Sequence, residues 1–364
     1  MTASPDIDPP IGMLAELTHR CPLHCPYCSN PVELERRSAE LSTDDWKRVF
    51  TQAADLGVLQ VHLSGGEPTA RRDIVEIVAH CNSVGLYTNL ITAAVGVKPE
   101  TMDALADAGL DHVQISFEGV KDGPADRIAG LDGAHAAKRK LAAQVIALDI
   151  PLTVNAVIHR ANIHLVEDMV RAALGMGARR VEVAHTQYYG WALRNREALM
   201  PAWDQVETAL QTVETLRREL AGQIVIDAVV PDYYARLPKP CVGGWGRRSL
   251  NVTPSGKVLP CHAAESIPGL VFDNVAEKPL AEIWQAGQAF NAFRGTDWMP
   301  DLCRTCERRD IDFGGCRCQA MAIAGDATAT DPACAKSPLH QRLVDMAQDA
   351  AGSDVTDYDY RRFL

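Results

Sequence analysis

Cys21-Pro-Leu-His-Cys25-Pro-Tyr-Cys28 places three cysteines at Cx3Cx2C spacing near the start of the chain. Three thiolates, not four, converge on one loop. A [4Fe–4S] cube takes four ligands, so a cube held here keeps one iron without a protein partner. An open iron can chelate a small molecule and pass it an electron. A structural zinc site needs four closed ligands, usually from two paired CxxC knuckles. Disulfides belong to secreted chains, and residues 1–10 contain neither a basic stretch nor an apolar h-region. A cytoplasmic chain is expected, in which thiols stay reduced and clustered cysteines serve metals.

Outward from this loop, short apolar strands alternate with amphipathic helices. Residues 12–17 read as the first strand, which feeds the cysteine loop. Ser42-Thr-Asp-Asp45 resembles a capping box opening a helix through Leu56, with Gly57 as its stop. Further strands are expected over 58–63, 86–90, 111–117, 151–158 and 179–184, with helices over 73–84, 99–109, 135–148 and 163–176 between them. Six successive βα units predict a parallel sheet with helices outside and right-handed crossovers. They are too few for a complete eight-stranded barrel. Function in such a sheet gathers at the carboxyl ends of the strands. The cysteine loop follows the first strand and Ser64-Gly-Gly-Glu-Pro68 follows the second, where glycines let backbone approach a ligand closely. A helix over 201–220 and a further strand over 223–229 lead to the last part. From Pro231 onward Pro, Gly and Cys become dense and periodicity fades, as in a segment held by metal rather than by an apolar core.

The Cx3Cx2C run, with aromatic Tyr27 before its third cysteine and a GGEP turn downstream, resembles the signature of the radical S-adenosylmethionine (SAM) enzymes. The resemblance implies an α/β fold, a partial (β/α)6 barrel, with SAM bound to the open iron of the cluster on Cys21, Cys25 and Cys28. It implies SAM contacts from Tyr27, Gly65, Gly66 and Glu67, the last suited to the methionine ammonium. Asn89 sits where relatives carry a TNG-like turn, although Leu90 replaces the glycine here. Ser116 ends the fourth strand, and Arg127 and Asn155 stand where relatives contact the SAM carboxylate or ribose. Each of these four also has an ordinary reading as a cap or surface residue.

Ten of the eleven cysteines fall into two arrays, with Cys81 left as a small core residue. The second array resembles the SPASM extension of peptide-modifying radical SAM enzymes, which runs Cx(9–15)Gx4C, then Cx2Cx5Cx3C, then a last cysteine. Cys241, Gly256 and Cys261 fit its first part, and Cys303, Cys306, Cys316 and Cys334 the rest. Asp312 stands at the third position of Cx2Cx5Cx3C, and an extra Cys318 follows Cys316. Seven cysteines cannot close two four-ligand clusters, but seven plus Asp312 can. The family's wiring then implies a proximal auxiliary cluster on Cys241, Cys261, Cys316 and Cys318, either [4Fe–4S] or [2Fe–2S]. It implies a distal [4Fe–4S] cluster on Cys303, Cys306, Asp312 and Cys334. Carboxylate is a harder donor than thiolate, so Asp312 should alter the distal potential and make that cluster easier to lose. Its other reading is a loop carboxylate beside Arg308 and Arg309. The expected segments are a barrel over 1–222, a bridge over 223–240, a SPASM domain over 241–340 and a tail over 341–364.

The stretches His185-Thr-Gln-Tyr-Tyr-Gly-Trp191, Pro231-Asp-Tyr-Tyr234, Gly243-Gly-Trp-Gly246 and Gly314-Gly-Cys-Arg-Cys318 are similar to the PqqE family of pyrroloquinoline quinone biosynthesis. That likeness implies a peptide substrate, PqqA, presented by the carrier PqqD, with a low-potential donor such as flavodoxin. SAM cleavage would give a 5′-deoxyadenosyl radical, the radical would take a hydrogen from a glutamate side chain, and the glutamate γ-carbon would join a tyrosine ring. Restoring the ring releases a proton and an electron, for which the auxiliary clusters offer an exit. His185 and Tyr188 are candidate bases. The alternatives are another SPASM peptide modifier (a sulfatase maturase or a thioether-forming enzyme), an iron–sulfur electron carrier, and a zinc scaffold. The net charge of −11 argues against general nucleic-acid binding, and no apolar run is long enough for a membrane span.

Overall fold

The computed structural model describes residues 7–362. Residues 1–6 and 363–364, at the outer ends of the first and last expected segments, lie outside that range. Nine strands form one sheet: β1 (Gly12–Thr18), β2 (Gln60–Gly65), β3 (Tyr87–Thr92), β4 (His112–Phe117), β5 (Leu152–Ile158), β6 (Arg180–His185), β7 (Val225–Val229), β8 (Ser249–Val252) and β9 (Val258–Leu259). The order is β7-β6-β5-β4-β3-β2-β1-β8-β9, parallel throughout except for the β8–β9 hairpin. The six expected strands and the seventh are all present. The helix Asp122–Ala129 is an addition that sequence periodicity missed, because Gly123 and Pro124 read as breakers. Both lie in its first turn, where backbone N–H groups have no intrahelical partner to lose.

Local chemistry sets the boundaries. Ser42 caps the helix Thr43–Leu56, with Asp45 returning the hydrogen bond, and Gly57 ends it at φ 102°. Along β4 the alternation is strict. Val113, Ile115 and Phe117 are buried beneath the helices, while Gln114 and Ser116, with Glu118 just beyond, face a central cavity. In β1, Met13, Ala15 and Leu17 take the core side, and Leu14 and Glu16 face the cavity.

The cysteine-rich part is not suspended on thiols alone. Its strand β8 pairs in parallel with β1, Gly12 opposite Ser249. Leu250, Val252, Val258, Val275, Leu280, Ile283 and Trp284 thereby join the apolar core of the barrel. The remainder gathers around Trp245, Leu259, Ile267 and Phe293, in contact with the second thiol array. Pattern-reading missed this core because β8 and β9 are four and two residues long. Among the described residues, no helix is long and apolar enough to cross a membrane.

Candidate active site and thiol centres

The carboxyl ends of the strands enclose a cavity of about 430 Å³, and Cys21, Cys25 and Cys28 all line it. The loop that carries them is tied down residue by residue. His24 N donates to Ala129 O at 2.9 Å, and Cys28 N to Cys25 O at 3.2 Å. The Tyr27 hydroxyl donates to Glu118 Oε1 at 2.7 Å. Lys138 Nζ, fully buried, donates to both Glu118 oxygens at 2.6 and 2.7 Å. Burial pushes the Cys21 thiol up to about 11 and raises Cys25 and Cys28 as well. Thiolates at this site would need a compensating cation, which iron held by the triad would provide.

The GGEP turn docks against this loop. Gly66 N donates to Thr18 O at 2.5 Å and Glu67 N to Arg20 O at 2.6 Å. A Cβ on Gly66 would lie 2.2 Å from Arg20 O, and one on Gly65 would lie 2.3 Å from Thr18 O. The glycines thus admit a close backbone neighbour as well as lining the cavity.

Tyr27, Gly65, Gly66, Ser116, Asn155 and His185 all line the cavity. The other four predicted residues do not. The Glu67 carboxylate is turned away, accepting from Thr69 N and Oγ1, Thr92 Oγ1 and Ala93 N at 2.6 to 3.0 Å, so it braces the turn. Asn89 lies lower in β3, bonded to His62 and Gln114. Arg127 is exposed, donates to Thr356 O and lies over the Tyr358 ring. Tyr188 packs edge-on to Tyr233 in a separate apolar cluster, while its neighbour Tyr189 faces the cavity. Desolvation lowers His185 to about 4, so its ring is neutral near pH 7. Glu118, Tyr189, His262 and Arg361 are wall residues that the sequence reading passed over. Glu118 had a signal, since it lies two residues beyond Ser116 on the same side of β4.

The second array separates into two groups. Cys241, Cys261, Cys316 and Cys318 lie together as one group of four thiols; their mutual hydrogen bonding raises Cys241 and Cys318 and lowers Cys261 and Cys316. Cys303, Cys306, Asp312 and Cys334 surround a separate recess. The Asp312 carboxylate is largely buried, accepts from Gly314 N at 3.1 Å and lies 3.4 Å from Arg308 Nε. Both readings of this residue thus meet in one place. Arg317, almost wholly buried, lies between the groups, bonded to the carbonyls of Gly314, Ala327 and Ala329. No three His, Cys, Asp or Glu side chains among the described residues are grouped to hold a single metal ion. Cluster ligands bind different irons and need no common point.

An open parallel barrel with a thiol triad at its mouth and a thiol-rich extension defines the class. Residues 15–173 match the Radical SAM superfamily model, and residues 241–307 match SPASM, an iron–sulfur cluster-binding domain. A PqqA peptide cyclase of Methylocella silvestris is 62% identical over 99% of this chain and 98% of its own. One of Methylobacterium nodulans is 59% identical over 98% and 95%. The crystal structure of Streptococcus suis SuiB bound to precursor peptide SuiA shares the fold at a TM-score of 0.75, with 19% identity over 90% of this chain and 77% of that one. The chain belongs to the radical SAM superfamily and, within it, to the family of PqqA peptide cyclases. It is an enzyme whose cofactors are SAM and iron–sulfur clusters.

Proposed function

We propose that this enzyme cyclises PqqA by joining a glutamate γ-carbon to a tyrosine ring carbon, an early step of pyrroloquinoline quinone biosynthesis. One observation carries the reading. A single cavity is walled on one side by the Cys21–Cys25–Cys28 triad and on another by Tyr189 and His262, whose rings meet edge to face at 5.9 Å. His262 follows Cys261 in the chain, and Tyr189 feels the thiols of Cys316, Cys261 and Cys318. A peptide in the cavity therefore lies between the place where a radical is generated and the place where an electron can leave.

Bound cluster and SAM supply one-electron chemistry that takes hydrogen from a peptide side chain. The chain's own residues do the rest. Leu14, Leu23, Ile91, Val157 and Ala184 give the cavity an apolar wall that excludes water. Ser116 and Asn155 present polar atoms to SAM beside the two glycines. His185, neutral and facing the cavity, accepts the proton that the tyrosine ring releases. In this reading Cys241, Cys261, Cys316 and Cys318 hold the proximal cluster, as [4Fe–4S] or [2Fe–2S], and Cys303, Cys306, Asp312 and Cys334 hold a distal [4Fe–4S]. PqqD presents the peptide and a flavodoxin-like donor supplies the first electron.

Mass spectrometry of an anaerobic reaction with reconstituted enzyme, SAM, a low-potential reductant, PqqA and PqqD tests this directly. The peptide should lose two hydrogens and show a Glu–Tyr crosslink on fragmentation. SAM cleavage with an unchanged peptide, once PqqD binding is demonstrated, removes the substrate assignment. The Asp312→Cys variant tests the distal ligand. Its iron–sulfur absorbance and EPR spectra should change, and the cluster should resist a chelator several-fold longer. Spectra and lifetime matching the wild type take Asp312 out of the ligand set.

A further inference from the structure

Residues 353–362 run back from the last helix, His340–Ala351, to the cysteine loop, and nothing in the activity described so far gives them a task. Their attachment is specific. Arg361 N donates to His24 O at 3.1 Å, and His24 Nδ1 donates to Arg361 O at 2.7 Å. Asn195 exchanges two bonds with Asp359 at 2.7 and 2.8 Å, and also donates to Pro26 O at 3.0 Å. The same asparagine thus grips the tail and the Cx3Cx2C loop. Arg160 holds Ser353 O at 2.7 Å, and Arg127 holds Thr356 O at 3.2 Å.

This attachment carries the Arg361 side chain into the cavity wall, where it is only 2% exposed. Its guanidinium donates to the carbonyls of His19 and Leu23, one on each side of Cys21. It is the one lysine or arginine among the described residues lining the cavity. Its charge acts favourably on the thiolates of both Cys21 and Cys28. The anionic lining groups, Glu16 and Glu118, have other partners. Glu16 receives Asn251 Nδ2 and lies 3.2 Å from His19 Nε2, and Glu118 is held by Lys138 and Tyr27.

We propose that Arg361 is a positioning residue for the radical-generating cluster: it fixes the two carbonyls that flank Cys21 and sets a permanent positive charge against the cluster's thiolates. The planar guanidinium suits the first task because it reaches two carbonyls from one rigid group. The second follows from electrostatics at low dielectric, since a nearby cation favours the more negative, reduced cluster and raises its potential. The inference rests on the assignment of a cluster to the triad, and is independent of the peptide substrate.

The test uses full-length, anaerobically reconstituted Arg361→Gln and Arg361→Lys beside wild type. Two readouts apply: the midpoint potential of the EPR signal that responds to SAM, and the half-time of that signal under a chelator. Arg361→Gln should move the potential to a more negative value and shorten the half-time several-fold. Arg361→Lys should restore the potential but not the half-time, because an ammonium keeps the charge and loses the fork. Wild-type potential and half-time in Arg361→Gln overturn the proposal. A purely structural role is excluded if Lys and Gln differ in potential while their auxiliary-cluster spectra and thermal midpoints agree; equal potentials in the two variants count against it. A wild-type protein with no SAM-responsive signal would instead remove the cluster assignment underneath.

Discussion

Lys138→Met lowers the thermal midpoint by roughly 6–10 °C, from a loss of about 3–5 kcal/mol, and loosens the cysteine loop. Lys138 and Glu118 are both almost fully buried, and the ammonium meets both carboxylate oxygens. Removing the cation leaves a carboxylate in the core with the Tyr27 hydroxyl as its remaining side-chain donor. The uncompensated charge, more than the lost attraction, sets the cost. Replacing both residues, as Glu118→Gln with Lys138→Met, should recover more than half of the loss, since no charge is then buried. Differential scanning fluorimetry of the four-protein cycle measures this. A single variant within about 2 °C of wild type would show that the pair is not holding this end of β4. The functional consequence follows through Tyr27. Its phenol is held by Glu118 between Cys25 and Cys28, so the single variant should also retain less iron at the triad.

The legible part of this protein is the part with a period or a spacing. Strand alternation gave β1 through β6 because both faces of each strand have fixed neighbours, helices on one side and the cavity on the other, while β7 lies at the sheet edge. Cx3Cx2C and the SPASM cysteines were legible because thiols at these spacings have few other uses, and the structure brings Cys241, Cys261, Cys316 and Cys318 into one group. Ser116 and Asn155 were readable as strand-end residues that point inward. Asn89 does not line the cavity because it lies three residues before the end of β3, and Arg127 does not because an unrecognised helix turns it toward the tail. Glu67 was in the expected motif, but its carboxylate is taken up by four donors, two from Thr69 in its own turn and two from Thr92 and Ala93 at and just beyond the end of β3. Arg361 had no signal at all. It is brought to Cys21 by contacts with Asn195, Arg160 and Arg127 that lie far away in sequence, and no local pattern encodes such a return.

Gly66→Ala should weaken SAM binding by at least about tenfold, equivalent to about 1.4 kcal/mol, and cost a further 1–3 kcal/mol or so of stability. The reason is backbone crowding rather than conformational freedom. The added methyl would sit 2.2 Å from Arg20 O and 2.7 Å from the carbonyl carbons of His19 and Arg20. None of these atoms belongs to a flexible side chain, so the turn and the His19–Arg20 segment must separate. That separation breaks Gly66 N to Thr18 O and Glu67 N to Arg20 O, the bonds that register the GGEP turn against the start of the cysteine loop. Gly175→Ala serves as the control. It ends the helix Val166–Gly175 with nothing within 4 Å of an added Cβ, and should change stability by less than about 1 kcal/mol. Isothermal titration of SAM into reconstituted protein reads the outcome. Wild-type affinity in Gly66→Ala would mean that the turn can move without disturbing the site, and that Gly65 alone carries the close approach. Weakened SAM binding with unchanged triad iron would place the damage on the SAM side of the cavity. Joint loss of both would show that the turn and the cysteine loop act as one rigid unit, as their shared hydrogen bonds require.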